Sequence, residues 1–168
     1  MTELSVTEYA VLGILAEGPN HGFALAKELA PSAELGRIYT VRRPLVYRAL
    51  DRLIEAGLAE AMHIEESDAG PNRTVVRITR RGRARLGQWL DRPVAHVRDV
   101  RIEFLLKLAL LRRSGGSPGS LIDRQREALQ PTLEVLEERS TEDHVEIWRR
   151  HNATATDAYL EELRRLFG

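Results

Sequence analysis

Residues 41–58, VRRPLVYRALDRLIEAGL, restrict the fold of this chain more than any other stretch. Read as a helix, they place Val46, Leu50, Leu53 and Ile54 at three- and four-residue spacing, which is one buried stripe. Arg43, Tyr47, Arg48, Asp51 and Arg52 fall on the other side, a cationic face with one aromatic. Pro44 suits the first helical turn, where its missing N–H costs no bond. Gly57 suits the position past the end, where left-handed backbone is common. Taken alone, the cationic face reads more readily as solvated surface. Its neighbours in the chain reverse that balance.

Residues 4–17 put Leu4, Tyr9, Leu12 and Leu15 on a helical stripe that Val11 and Ile14 widen, and Gly18-Pro19 ends the helix. Asn20 is placed to cap a second helix over 21–30, which Pro31 stops. A short connection over 32–42 leads into the stretch described above. Three short helices, the third presenting Arg and Tyr, follow helix-turn-helix order. Residues 58–66 and 73–79 then alternate in part, through Met62 and Ile64 in one run and Val76 and Ile78 in the other. With the turn signal Gly70-Pro71-Asn72 between them, they read as two antiparallel strands, that is, a wing. Arg73 and Arg77 lie on it. A further helix over 80–91 carries Leu86, Trp89 and Leu90 on its apolar side, although Gly82 and Gly87 weaken it.

The 25 basic and 25 acidic residues cancel, so the sum of charge argues against nucleic acid while its distribution does not. Up to residue 90 there are 12 Lys+Arg, and 11 of them lie in windows 37–52 and 72–85, where Asp51 is the only acid. Both windows coincide with the recognition helix and the wing, so a basic face is expected on a neutral protein. Arg42, Arg43, Tyr47, Arg48 and Arg52 are the expected DNA contacts from the helix, and Arg73 and Arg77 those from the wing. An arginine in the helix can pair with the acceptor edge of guanine, and wing arginines suit phosphate or the minor groove. Arg48 and Arg52 flank Asp51, so a carboxylate could hold one of them instead.

From Pro93 the character changes. Residues 99–113, DVRIEFLLKLALLRR, form a helix that is apolar nearly all round, and the remaining chain looks too small to cover it within one copy. Residues 120–139 form a helix with the stripe Ile122, Leu129, Leu133 and Leu136, which Pro131 should kink or interrupt. Ser140 or Thr141 is placed to cap a last helix. That helix carries Val145, Trp148, Asn152, Ala155, Tyr159, Leu163 and Leu166 on a helix–helix seam. Trp89 and Trp148 each admit core packing, the favoured reading, or the wall of an apolar effector cavity near a dimer interface. Trp148, on the seam, fits the second role better.

Several classes have no support. Without cysteine there is neither a disulfide framework nor a thiolate metal site, which suits a reducing compartment, and the expected location is the cytoplasm. The five histidines show no four-residue helical spacing, so neither a metal nor another cofactor is expected. No serine elbow or glycine-rich phosphate loop marks an enzyme. Glu65, Glu66 and Asp68 read as loop solvation. No apolar run reaches membrane-spanning length, and the first residues read as folded sequence rather than a signal peptide.

YAVLGILAEGPNHGFALAKELA (9–30), VYRALDRLIEAGLAE (46–60) and NRTVVRITRRGRARLGQWL (72–90) resemble the PadR family of bacterial transcriptional regulators. RIEFLLKLALL (101–111) is similar to that family's first C-terminal helix. The resemblance implies a homodimeric winged-helix repressor with C-terminal dimerisation helices, released by small molecules, often aromatic or amphipathic. The chain departs from the family pattern at Phe23, where Tyr is commoner. It departs again at Arg42-Arg43-Pro44, where a small or hydroxyl residue usually leads into the recognition helix. With no side-chain oxygen to cap the first turn, the free amides and both arginines are expected to take a phosphate together.

The expected architecture is mainly α with a small β-wing: a winged helix-turn-helix over 1–90 and a helical dimerisation and effector domain over 91–168. The expected partners are duplex DNA with a roughly palindromic operator and a second copy of the chain. Two rivals stay open: a ligand-sensing or drug-sequestering dimer with secondary DNA binding, and a winged helix used for protein contacts alone.

Overall fold

The computed structural model describes residues 3–66, 72–137 and 142–167. The chain divides into two compact units, Met1–Trp89 and Leu90–Gly168.

The first unit is built around α1 (Val6–Glu17). Ser5 starts it with a reciprocal cap: its hydroxyl accepts from the Glu8 amide at 3.3 Å, while Glu8 Oε2 accepts from the Ser5 amide at 2.6 Å. Every residue from Glu8 to Leu15 is buried, as an all-round apolar helix requires.

Asn20 does not cap the second helix. Asn20–His21 forms a short strand, β1, and His21 Nδ1 accepts from the Ala24 amide at 3.1 Å to cap α2 (Gly22–Glu28). The Asn20 side chain accepts instead from the His21 amide at 2.9 Å. The expected connection over 32–42 contains a five-residue helix, α3 (Glu34–Ile38), too short to show a hydrophobic period.

The helix read from residues 41–58 is α4 (Arg43–Glu55). It buries Val46, Ala49, Leu50 and Leu53, but Ile54 is exposed, so the stripe stops one residue earlier than expected. Gly57 ends it at φ 68°, and Leu58 donates back to the Leu53 carbonyl at 2.9 Å.

The wing strands are β2 (Ala59–Glu65) and β3 (Arg73–Ile78). The sheet has three strands in the order β1-β3-β2, all antiparallel, not the two expected. Central β3 buries Val75, Val76 and Ile78. Edge strand β2 buries only Ala59, and Met62 and Ile64 are exposed, against the inward placement that alternation implied. A register shift between Ala61 and His63 makes Met62 a bulge, which breaks the period of two. The expected turn residues Gly70 and Pro71 and the loop carboxylate Asp68 lie outside the described residues. The next helix, α5 (Arg80–Asp91), buries Leu86 and Trp89.

In the second unit, α6 (Val97–Asp99) runs through a π-helical turn at Val100–Phe104 into α7 (Leu105–Arg113). α8 (Gly119–Glu137) continues through Pro131 without interruption, and α9 (His144–Phe167) packs along it. Their common core joins Val100, Phe104 and Leu108 to Leu121, Ile122, Leu129 and Leu133 of α8 and Ala153, Leu160 and Leu163 of α9. Phe104, Leu106, Leu108 and Leu110 are all buried in a single chain, so most of the helix of residues 99–113 is covered without a second copy, while Ile102 stays exposed.

That helix also buries a charge. Lys107 is 0% exposed and donates from Nζ to the Arg92 carbonyl at 2.7 Å and to Glu103 at 2.8 Å. Burial lowers its pKa from the ordinary lysine value, and Glu103 offsets part of this. Nearby, Gln125 accepts from the Val94 amide at 2.7 Å and donates to the Val94 carbonyl at 2.9 Å. The expected cap residues Ser140 and Thr141 lie outside the described residues. Asp143 accepts from the Val145 amide at 2.8 Å at the start of α9.

Candidate nucleic-acid interface

α4 enters from an extended Arg42 with no side-chain cap, but the Leu45 and Val46 amides donate to the Arg42 carbonyl at 2.9 and 3.3 Å and Pro44 has no N–H, so the free amides expected to take a phosphate with both arginines are not there as a set. Val46, Ala49, Leu50 and Leu53 lock its inner face, while Arg42, Arg43, Leu45, Tyr47 and Arg48 are all exposed. Gly22 lets Tyr47 lie close to the start of α2, since a Cβ there would sit 2.6 Å from the Tyr47 ring. Arg43 stands over the Tyr47 ring at 5.6 Å and reaches its hydroxyl at 3.5 Å.

The six expected arginines separate into two groups. Among the described residues, no carboxylate pairs with Arg42, Arg43, Arg48 or Arg73. Arg52 and Arg77 are paired. Arg52 reaches buried Glu8 of α1 at 3.6 Å, so the carboxylate that holds it belongs to another helix and not to adjacent Asp51. Arg77 donates to Glu60 of β2 at 2.7 Å, directly across the sheet in register. Each of these two guanidiniums already faces a carboxylate, which makes it a weaker candidate for DNA than its sequence window implied.

Arg52→Ala is therefore expected to act through stability. The pair is largely solvent-exposed on the Arg52 side, so its loss should lower unfolding free energy by about 1 kcal/mol or less. The salt dependence of DNA binding should stay that of the wild type. A slope that falls by a full phosphate contact would return Arg52 to the interface.

Sequence reasoning marked Phe23 only as a departure from the family pattern and missed its place in the site, and it missed Leu45 altogether. Both are large apolar side chains exposed beside the arginines. Phe23 carries Arg43 at 5.0 Å and Arg73 at 5.3 Å over its ring. The available signal was its place directly after the β1–α2 junction, where a core residue has nothing to pack on.

The two tryptophans part company. Trp89 lies in the core of the first unit, stacked on Tyr9 with ring centroids 4.4 Å apart and planes 7° apart. This placement differs from that of an effector-cavity wall. Trp148 is 66% exposed and borders a cleft of about 1020 Å³ in the second unit, together with Val100, Leu105, Leu136, Val145 and Tyr159. Burial, and then Glu162, raise the Tyr159 pKa, so its phenol stays protonated and able to donate in the cleft. Val145, Trp148 and Leu166 of the expected seam are exposed, while the face that α9 buries is Ala153, Leu160 and Leu163. Among the described residues, no group of three or more His, Cys, Asp or Glu is placed to hold a metal ion. No helix there is long and apolar enough to cross a membrane.

Residues 11–88 match the family model described as the transcriptional regulator PadR-like family. No curated protein matches the chain. Among solved structures, Bacillus subtilis PadR in complex with operator DNA is 20% identical, with 98% of this chain and 100% of that one covered at a TM-score of 0.52. Bacillus subtilis PadR in complex with p-coumaric acid is 20% identical over 97% and 99%, with a TM-score of 0.48. The smu.1604c protein of Streptococcus mutans UA159 is 18% identical over 92% and 96%, with a TM-score of 0.46. At these identities the likeness is one of fold.

Proposed function

We propose, from the match of residues 11–88 to the transcriptional regulator PadR-like family, that the protein is a homodimeric repressor. It occupies a roughly palindromic duplex site in the cytoplasm and leaves it when a small aromatic or amphipathic molecule binds the second unit. The observation that carries this reading is the set of four arginines, Arg42, Arg43, Arg48 and Arg73, exposed on α4 and β3 without carboxylate partners among the described residues. The fold shared with a protein crystallised on operator DNA supports it.

Tyr47 and Arg48 enter the major groove on the exposed side of α4, while Arg43 at its first residue and the wing's Arg73 follow the backbone. Leu45 is placed to meet a thymine methyl. Exposed Val145, Trp148 and Leu166 supply an apolar seam for a second copy, and a two-fold pair presents two α4 helices to two half-sites. The chain works by binding rather than catalysis.

Selection of bound duplex fragments by the purified protein, followed by salt titration, tests this. Arg48→Ala is expected to weaken the recovered site by about 1–3 kcal/mol, roughly 5- to 150-fold, if it pairs with a base. If it meets phosphate, the log–log salt slope should fall by about 0.9 per protomer. Recovery of sequence-blind binding alone, unchanged in Arg48→Ala, would overturn the reading.

The cleft favours a second reading, a ligand-sequestering dimer with secondary DNA binding. It predicts aromatic compounds that quench Trp148 and leave DNA affinity untouched.

A further inference from the structure

Phe23 is the second residue of α2 and is 43% exposed, so it adds little to any core. Its ring nevertheless gathers two cations from different elements of the first unit. Arg43, the first residue of α4, lies 5.0 Å from the ring centroid, and Arg73, the first residue of β3, lies 5.3 Å from it. Neither guanidinium has a carboxylate partner among the described residues. Two like charges drawn to one ring repel each other, and at an exposed site the ring's attraction for each is modest. An anion between them relieves that repulsion, and so the pair is set for one.

Resting on the DNA-binding reading above, we propose that Phe23 is a positioning residue that couples the recognition helix to the wing. It holds Arg43 and Arg73 together as a two-pronged clamp on the phosphate backbone of the duplex. A tyrosine there would keep the ring face that both cations use. An aliphatic residue of similar bulk would not. The base of the wing meets α4 through β2, and Thr79 donates to the Gly57 and Leu58 carbonyls just beyond the helix; the Phe23 ring adds a tie between the two cationic side chains themselves.

The test uses the full chain and the duplex recovered by the wild type. Phe23→Leu and Phe23→Tyr are compared with wild type for affinity, salt slope and thermal midpoint. Phe23→Leu is expected to bind about 5- to 30-fold more weakly, as the loss of two exposed cation–π contacts implies. Its salt slope should become shallower by up to about 0.9 for each phosphate contact released. Its thermal midpoint should match wild type, and Phe23→Tyr should restore both affinity and slope. Adding Arg73→Ala to Phe23→Leu should cost less than Arg73→Ala costs alone.

Wild-type affinity and slope in Phe23→Leu would overturn the positioning role alone, leaving the DNA-binding reading in place. So would a loss of affinity that tracks a fall in thermal midpoint with the slope unchanged, or a Phe23→Tyr that fails to rescue. A wild-type chain that binds no duplex would overturn both.

Discussion

Trp89→Ala is expected to cost about 3–5 kcal/mol of stability, the range for removing a buried aromatic. Trp89 is buried and stacked on Tyr9, which is itself in the middle of the all-round buried α1. Deletion of the indole empties the space beside the one helix on which the first unit's core is built. Urea unfolding followed by circular dichroism measures the loss. A cost below about 1 kcal/mol would show that the site can collapse and that the stack is peripheral. Trp89→Phe keeps an apolar ring against Tyr9 and should cost much less. Because the chain has two tryptophans, that variant leaves emission from Trp148 alone. Its spectrum should be that of a solvent-exposed indole in a single copy and shift to the blue where a second copy covers the seam, and it reports on compounds entering the cleft.

Lys107→Ala should be comparably damaging. It orphans the Arg92 carbonyl, at about 1–3 kcal/mol, and leaves a cavity where a long buried side chain stood, which adds about 2 kcal/mol or more. Lys107→Met fills the cavity and suffers only the first loss, so the gap between the two variants measures packing. Titration gives an independent check. Burial depresses the Lys107 pKa in the folded state, so between that lowered value and 10.5 the unfolded chain binds more protons. Stability contributed by this group is present above 10.5 and is lost as pH falls through the folded value. The wild type should therefore gain stability relative to Lys107→Met as pH rises toward 10.5. A difference that stays flat with pH would mean that Glu103 fully offsets the burial.

The helix-turn-helix and its wing could be read from the sequence because their signals are local. α4 declares itself through one amphipathic period, Pro44 and Gly57, and β3 through alternation. What escaped depends on partners distant in the chain. The strand at Asn20–His21 exists only because β3 lies beside it, and two residues carry no period. The bulge at Met62 shifts the phase of β2, and no composition rule marks it. Buried Lys107 sits in an apolar run where a lysine would be expected to turn outward. It stays inside because Glu103 one turn back and the Arg92 carbonyl accept its protons.

The candidate site divides in the same way. The arginine windows were visible as clustered charge, but which arginines are already answered was not. Arg52 lies 44 residues from Glu8, and the pairing of Arg77 with Glu60 depends on strand register. Phe23 was marked by its odd location and as a departure from the family pattern, and neither signal shows the two arginines over its ring. The dimer inference changes footing as well. The helix of residues 99–113 is covered within one chain except at Ile102, so support for a second copy now comes mainly from the exposed side of α9.

The pairing of Arg52 and Arg77 with Glu8 and Glu60 bears on how the protein would find a site. A neutral chain has no monopole to draw it toward DNA from afar, and beyond about 10 Å salt hides individual charges. Its first unit does carry charge unevenly, with a local positive side on the arginines of α4 and β3 that have no carboxylate partner among the described residues. Near a polyanion, such a distribution experiences torque more than pull. Encounters would be turned the right way round at close range, without the long dwell on random sequence that a uniformly basic protein suffers.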